Sequence, residues 1–354
     1  MDAIAALGGH IARLAISARI DIDYHMGSAC IAGFTLASAM QNPDVKKAID
    51  NPAISVFILT SYDGATFGDC VTHNYLNPRY FTPAKEAEVV QEYSDLALYL
   101  SQTYQHVNKR FIISNWESDN DVYCGQAWLY TADARFRATC DASYPGIYAG
   151  NSTPAESFQG LRLWFQAREL GIEDGRNRAL ALGIGGVRVY FAPEVNIVRY
   201  LHGLGLQSTL YDVVPFVKFD YVSYSSHQSL GQSDPQGALL QDLETIQSLI
   251  GSSPIIIGEI MTASPGVDPT VFDQTLRQVL DEALAWGVPY VIYWNLFGGY
   301  DSPRGVYDTA GQITPVGSFF KRYLLGERCS IVITRPPPPS SPSHPPPPTP
   351  PHSN

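Results

Sequence analysis

Seven short apolar runs rich in Ile, Val and Phe return along the chain, separated by amphipathic stretches. They are His10–Ser17, Ser55–Thr60, Arg110–Asn115, Val187–Phe191, Tyr221–Tyr224, Ile255–Glu259 and Tyr290–Trp294. Several are almost unbroken in apolar character, as expected of strands covered on both faces of a parallel sheet. The intervening stretches repeat at helical spacing. In "FDQTLRQVLDEALAWG", Phe272, Leu276, Val279, Leu280 and Leu284 share one face, and Gly287 ends the run. Strand and helix alternating over about 300 residues predict an α/β chain folded as a (β/α)8 TIM barrel. Neither G-x-G-x-x-G nor G-x-x-x-x-G-K-[ST] occurs, which removes the nucleotide-binding motive for a doubly wound sheet.

A closed barrel of this kind needs eight strands, and seven are legible. The opening "DAIAALGG" reads as the helix that follows a first strand. The expectation is therefore a barrel lacking its first strand, or with that strand truncated, in which His10–Ser17 is strand two. A strand hidden in "RIDIDYHM" is the alternative. The first seventeen residues have neither the basic start nor the cleavage site of a secretory signal. From Arg335 the sequence runs "RPPPPSSPSHPPPPTPPHSN", which cannot build a core because proline lacks the backbone donor and favours extended polyproline II. The expected organisation is a barrel over residues 1–328 and a disordered Pro-rich C-terminal tail over 329–354. That tail resembles the proline-rich segments of extensin-like wall glycoproteins. The likeness implies association with a cell wall and favours an extracellular location.

The formal charge is −11, with Lys and Arg scattered, so the positive footprint that a nucleic acid needs is missing. A neutral ligand such as a sugar suits this balance. No apolar run is long enough to predict a membrane span. Cys30, Cys70, Cys124, Cys140 and Cys329 show no C-x-x-C spacing. Two disulfides with Cys329 left over, or buried free thiols, both fit. A single N-x-S/T sequon stands at Asn151.

In a (β/α)8 barrel the chemistry gathers at the C-terminal ends of the strands. Two runs end in glutamate there, "FIISNWE" at Glu117 and "PIIIGE" at Glu259. With His10–Ser17 as strand two, they close strands four and seven. Two carboxyls facing each other across the barrel mouth suit glycoside hydrolysis. One gives a proton to the leaving oxygen, and the other attacks or supports the oxocarbenium-like centre. Asp119 and Asp121, beside Glu117, are of the type that binds a cation, but no histidine accompanies them in sequence and no metal is expected.

With these residues in place, the stretch from about residue 8 to 325 resembles the clan-A glycoside hydrolases, retaining enzymes built on a TIM barrel. The resemblance implies Glu117 as acid/base and Glu259 as nucleophile, with no cofactor and a β-linked carbohydrate as substrate. It implies substrate-side roles for Tyr224 in "VSYSSH", as a tyrosine hydrogen-bonded to the nucleophile, and for Trp294 in "VIYWNLF", as the floor of the sugar site. Arg13 matches an arginine near the nucleophile. Trp116 departs from the clan pattern by standing between Asn115 and the acid/base. In an extended strand Asn115 would still share a face with Glu117 and reach a sugar hydroxyl. His227 and Glu194 (with Asn196 beside it) are further candidates for sugar contact. The tyrosine-rich loops after strands three and four, with Trp128, line a sugar cleft or pack as a lid. The competing class is a non-catalytic carbohydrate-binding or degenerate wall barrel.

Overall fold

The computed structural model describes residues 1–147, 153–186, 188–261, 269–297 and 305–326. Asn151, Cys329, the Pro-rich segment and the 328/329 boundary lie outside the described residues. The strands are β1 (Ile11–Ile16), β2 (Val56–Ser61), β3 (Arg110–Ser114), β4 (Arg188–Phe191), β5 (Glu194–Val195), β6 (Val222–Ser225), β7 (Ile255–Ile260) and β8 (Val291–Tyr293). They pair in parallel, β1-β2-β3-β4 in one sheet and β5-β6-β7-β8 in the other.

β4 and β5 are two halves of one run. The amide of Ala192 donates to Ile113 O on the β3 side, at 2.9 Å. Phe191 O and Pro193 O accept from Tyr221 N and Ser223 N on the β6 side, at 3.2 and 2.9 Å. Pro193 has no N–H to give, which divides the ladder without breaking the wall. The two sheets therefore form one curved wall with seven barrel positions, matching the seven runs in the sequence. β1 and β8 approach each other at its two ends, and no ladder bond joins them among the described residues. The expected strand-one position falls at this seam. "RIDIDYHM" does not supply it. The carbonyls of Ser17 and Arg19 take up the amides of Ile20, Ile22 and Asp23, which turns the chain into a short helix, Ile20–Asp23.

Alternation of side chains sets the layers. Val56, Ile58, Ile112, Ala192 and Ile256 fill the lumen. Phe57, Leu59, Phe111 and Ile113 point outward into the layer between wall and helices. Each fully buried aliphatic side chain is worth about 1.5–3 kcal/mol, so these two layers dominate the stability of the wall. The helices Pro83–Tyr104 and Pro154–Ala181 approach closely because Gly171 and Gly175 lie one turn apart on the contact face. A Cβ on either would meet a backbone oxygen of the facing helix at 2.4 Å. The helix Pro269–Trp286 ends where Gly287 takes φ +107°, a left-handed stop that costs a glycine nothing.

Two disulfides form. Cys30–Cys70 joins the segments after β1 and β2, and Cys124–Cys140 ties the helical segment after β3. The tyrosines of these segments mostly pack inward. Tyr62 and Tyr75 stack with Trp164, and Tyr123 lies against Tyr130. The long loops are thus small packed substructures at the barrel mouth, and Trp128 is their exposed tryptophan, edge-on to Tyr200. No helix of the described residues is long and apolar enough to cross a membrane.

Candidate active site

β3 stops at Ser114, and the next three residues leave the extended conformation. Glu117 takes φ −26° and ψ 85° as the residue that opens the helix Ser118–Val122. This bend turns its carboxyl into the barrel mouth. Glu259 lies within β7, where strict alternation from the lumen residue Ile256 would turn it outward with Ile257. The ladder register shifts between Ile257 and Ile260, and this irregularity brings Glu259 to the lumen side while Ile257 and Ile260 both stay in the helix-facing core. Both glutamates are buried. Carboxylate oxygens of the two lie within 4.8 Å of each other, with a ring nitrogen of His227 inside the same radius.

His227 Nε2 is 3.1 Å from Glu259 Oε2 and 3.7 Å from Glu117 Oε1. The Ser225 hydroxyl makes a short hydrogen bond to Glu117 Oε1, and the Asn120 amide makes another to Oε2. Beneath them runs Arg13, held across the lumen. Its Nε donates to Thr60 Oγ1 at 2.7 Å, and Nη2 donates to Asn115 O at 2.9 Å. Its two terminal nitrogens grip Glu194 at 2.7 and 3.0 Å. Nη1 also reaches Glu259 Oε1 at 3.1 Å. One guanidinium thereby links β1, β2, β5, β7 and the end of β3, in the planar multi-donor manner that lysine cannot reproduce.

The environments separate the two glutamates. Burial, and then the charge of Glu259, pushes the Glu117 carboxyl up to about 7. For Glu259 burial acts in the same sense, but Arg13 and then His227 outweigh it and hold that carboxyl below its ordinary range. Burial opposes the charge of His227, yet its contacts with Glu259 and Glu117 win and raise it. Arg13 is likewise raised, since Glu194 and Glu259 overcome its desolvation. A proton donor and an ionised carboxylate therefore stand side by side at neutral pH, the division of labour that acid-base chemistry requires. Glu117, His227 and Glu259 are close enough to share a cation, but Arg13 already holds Glu259, and no metal is assigned here.

Of the sequence candidates, Glu117, Glu259, His227 and Arg13 come together. Trp294 joins them half-buried, its ring perpendicular to His227 with centroids 6.3 Å apart. Trp116 is half-buried beside Glu117, its amide donating to Tyr62 OH at 3.1 Å. Three candidates are turned elsewhere. The Tyr224 hydroxyl donates to Asp242 at 2.6 Å in the core behind β6 and does not reach Glu259. Strand parity explains this, because Ser223 and Ser225 take the lumen side and Tyr224 the other. Asn115 does not share a face with Glu117, since the strand has already ended. Its amide is spent on Trp116 O, Ser118 Oγ and the amide of Glu194, at 2.7, 2.7 and 3.1 Å. Glu194 is fully buried against Arg13 and Ser223, so it anchors the arginine and has no access to a sugar. Asp119 accepts from Thr209 and Ile197, and Asp121 faces Tyr62, as buried supports.

Sequence reasoning missed Ser225, Asn120 and Thr60. The alternation within "VSYSSH" carried the signal for Ser225, which shares a face with Ser223. Gly258 was also missed. A Cβ there would lie 2.1 Å from Ser223 Oγ and 2.5 Å from Glu194 Oε2, so only glycine leaves room for the arginine pair.

No protein-family model matches the sequence, and no curated protein matches it. Solved structures share its fold. An exo-β-1,4-mannosidase from Opitutaceae bacterium strain TAV5 is 13% identical with TM-score 0.55, over 92% of this chain and 54% of that one. The chain thus spans about half of that mannosidase's length. A GH5_18 variant from Streptomyces cattleya, solved with Manβ1-4GlcNAc, is 14% identical with TM-score 0.58, over 95% and 76%. A family 5 xyloglucanase from Paenibacillus pabuli is 12% identical with TM-score 0.53, over 92% and 88%. The fold is therefore a TIM-barrel type, similar to that of these solved glycoside hydrolases.

Proposed function

We propose that the chain is a retaining glycoside hydrolase acting on a β-linked carbohydrate. The observation that carries this reading is the pair of carboxyls within 4.8 Å, one favouring its proton and the other its charge. Retention uses carboxyls about 5–5.5 Å apart, whereas inversion needs about 6.5–9.5 Å to admit a water. Glu117 gives its proton to the glycosidic oxygen while Glu259 attacks the anomeric carbon, forming a glycosyl-enzyme. Glu117, now ionised, takes a proton from the incoming water, and the sugar leaves with its original configuration. Arg13 and His227 keep Glu259 ionised until attack. Trp294 and Trp116 offer flat apolar faces to the sugar ring. The folds named above support a β-linked substrate, and the net charge of −11 with scattered Lys and Arg suits a neutral sugar. The Pro-rich segment 329–354 is read from composition as a separate extended tail suited to wall contact.

The test is turnover of a panel of aryl β-glycosides and wall polysaccharides by the protein and by Glu259→Gln and Glu117→Gln. Loss of turnover by about 10³-fold or more in Glu259→Gln, with the first-formed sugar in the β configuration by NMR, is expected. An α product, or polysaccharide binding with no turnover by the unaltered protein, overturns the proposal. The second outcome would favour the non-catalytic barrel.

A further inference from the structure

Asn120 stands one turn after Glu117, on the helix Ser118–Val122. Its side chain is fixed at both ends. The amide of Ala127 donates to Oδ1 at 2.9 Å, and Nδ2 faces Glu117 Oε2. A backbone N–H can only donate, so Oδ1 must be the acceptor there and Nδ2 the donor toward Glu117. The main chain is pinned as well, with Gly125 N donating to Asn120 O at 2.7 Å. The two oxygens of Glu117 are therefore inequivalent. Oε2 meets a group that can only give a hydrogen. Oε1 meets the Ser225 hydroxyl, which rotates to give or to accept.

We propose that Asn120 is a positioning residue that decides which oxygen of Glu117 carries the catalytic proton. With Oε2 occupied by Nδ2–H, the proton resides on Oε1, where Ser225 Oγ accepts it. Oε1 is the oxygen on the His227 side of the carboxyl, 3.7 Å from Nε2. In the first half-reaction the Oε1–H bond breaks, the proton passes to the glycosidic oxygen, and Ser225 turns to donate to the new carboxylate. In the second half, water returns a proton to the same oxygen. This rests on Glu117 being the acid/base of the proposed glycosidase. The other charged groups that act on Glu117 are Glu259 on β7, His227 after β6, Glu194 on β5, Arg13 on β1 and Asp121 on its own helix.

Two variants test the inference. Asn120→Asp keeps an oxygen for Ala127 N–H but replaces the donor with a second carboxyl, so that two acids share one proton. The alkaline limb of kcat/KM is expected to move up by about one pH unit or more. In Asn120→Ala the limb moves up by less. That variant should lose about tenfold in kcat/KM on a glycoside whose leaving group needs protonation, and under about threefold on a dinitrophenyl glycoside that does not. Titration of Glu117 by carbon-13 NMR, assigned with Glu117→Gln, reads the same displacement without turnover. A protein with no glycosidase activity thus sinks the functional proposal and leaves this measurement intact. Folding is checked by circular dichroism. If folded Asn120→Asp titrates Glu117 as the unaltered protein does, or if folded Asn120→Ala loses equally on both leaving groups, Asn120 is merely structural and the inference is overturned.

Discussion

Replacing Arg13 with methionine removes the cation from the centre of the barrel mouth while roughly conserving length. Its side chain is 11% exposed, and those of Glu194 and Glu259 are 0% and 5% exposed, so solvent cannot take its place. Glu194 then stands buried with no cation, and Glu259 keeps only His227 as a counter-charge. Removing one partner of a buried ion pair costs about 3–5 kcal/mol, against total stabilities of about 5–15 kcal/mol. The carbonyls of Asn115 and Gly258 and the hydroxyl of Thr60 lose their donor too. Urea unfolding at pH 7 should record a loss of about 3–5 kcal/mol. The pH dependence gives the sign. In the unaltered protein Glu259 is held below its ordinary value, so its contribution is present above the unfolded carboxyl range and is lost as pH falls through the lowered value. In Arg13→Met burial acts unopposed by that cation, and the carboxyls titrate higher folded than unfolded. The penalty then grows as pH rises past about 4.3 and shrinks on acidification, when Glu194 and Glu259 take up protons. A loss below about 1 kcal/mol at pH 7, or a loss of equal size at pH 4.5 and 7, would refute the assignment of Arg13 as counter-charge to both glutamates.

Further expectations concern activity and packing. With Glu117 near 7, kcat/KM should fall about tenfold per unit above pH 7, while Glu259 sets an acid limb below the usual glutamate range; a pH-rate profile decides. Tyr224→Phe should cost about 1.5–3 kcal/mol of stability through the lost bond to buried Asp242, with kcat/KM within twofold of the unaltered protein below the melting range. Trp294→Ala should leave stability within about 1 kcal/mol and reduce kcat/KM about tenfold or more, read from initial rates on an aryl glycoside. Gly258→Ala, by displacing Ser223 Oγ and driving Glu194 off Arg13, should destabilise by about 2 kcal/mol or more in thermal melts and also depress turnover.

The parts of the fold that were legible in the sequence are those where local pattern and tertiary setting agree. Ile255–Ile257 and Phe111–Ile113 are apolar on both faces because both faces are covered, so their period and position could be read directly. The two glutamates announced themselves as charges ending such runs. Legibility failed where a strand stops obeying its period. Asn115 looks co-facial with Glu117 only if the strand continues, and it ends at Ser114. Tyr224 looks functional by residue type, while its parity sends it outward. Glu194 is visible as an acid, but its partner lies 181 residues away, and only the curvature of the wall brings Arg13 to it. The division of the fourth position of the wall at Pro193, and the pairing of four cysteines into two bonds, likewise depend on contacts that no local pattern encodes.

The charges gathered at the barrel mouth nearly cancel. Arg13 and His227, whose proton its two glutamate neighbours favour, stand against Glu194 and Glu259, while burial and the charge of Glu259 favour the proton on Glu117. A chain of formal charge −11 thus encloses a small interior with little net field of its own. A neutral saccharide would be drawn in by shape and contact alone, so its capture should be almost indifferent to ionic strength. A polyanionic glycan, by contrast, would meet the outer surface first and be held off most strongly in dilute buffer.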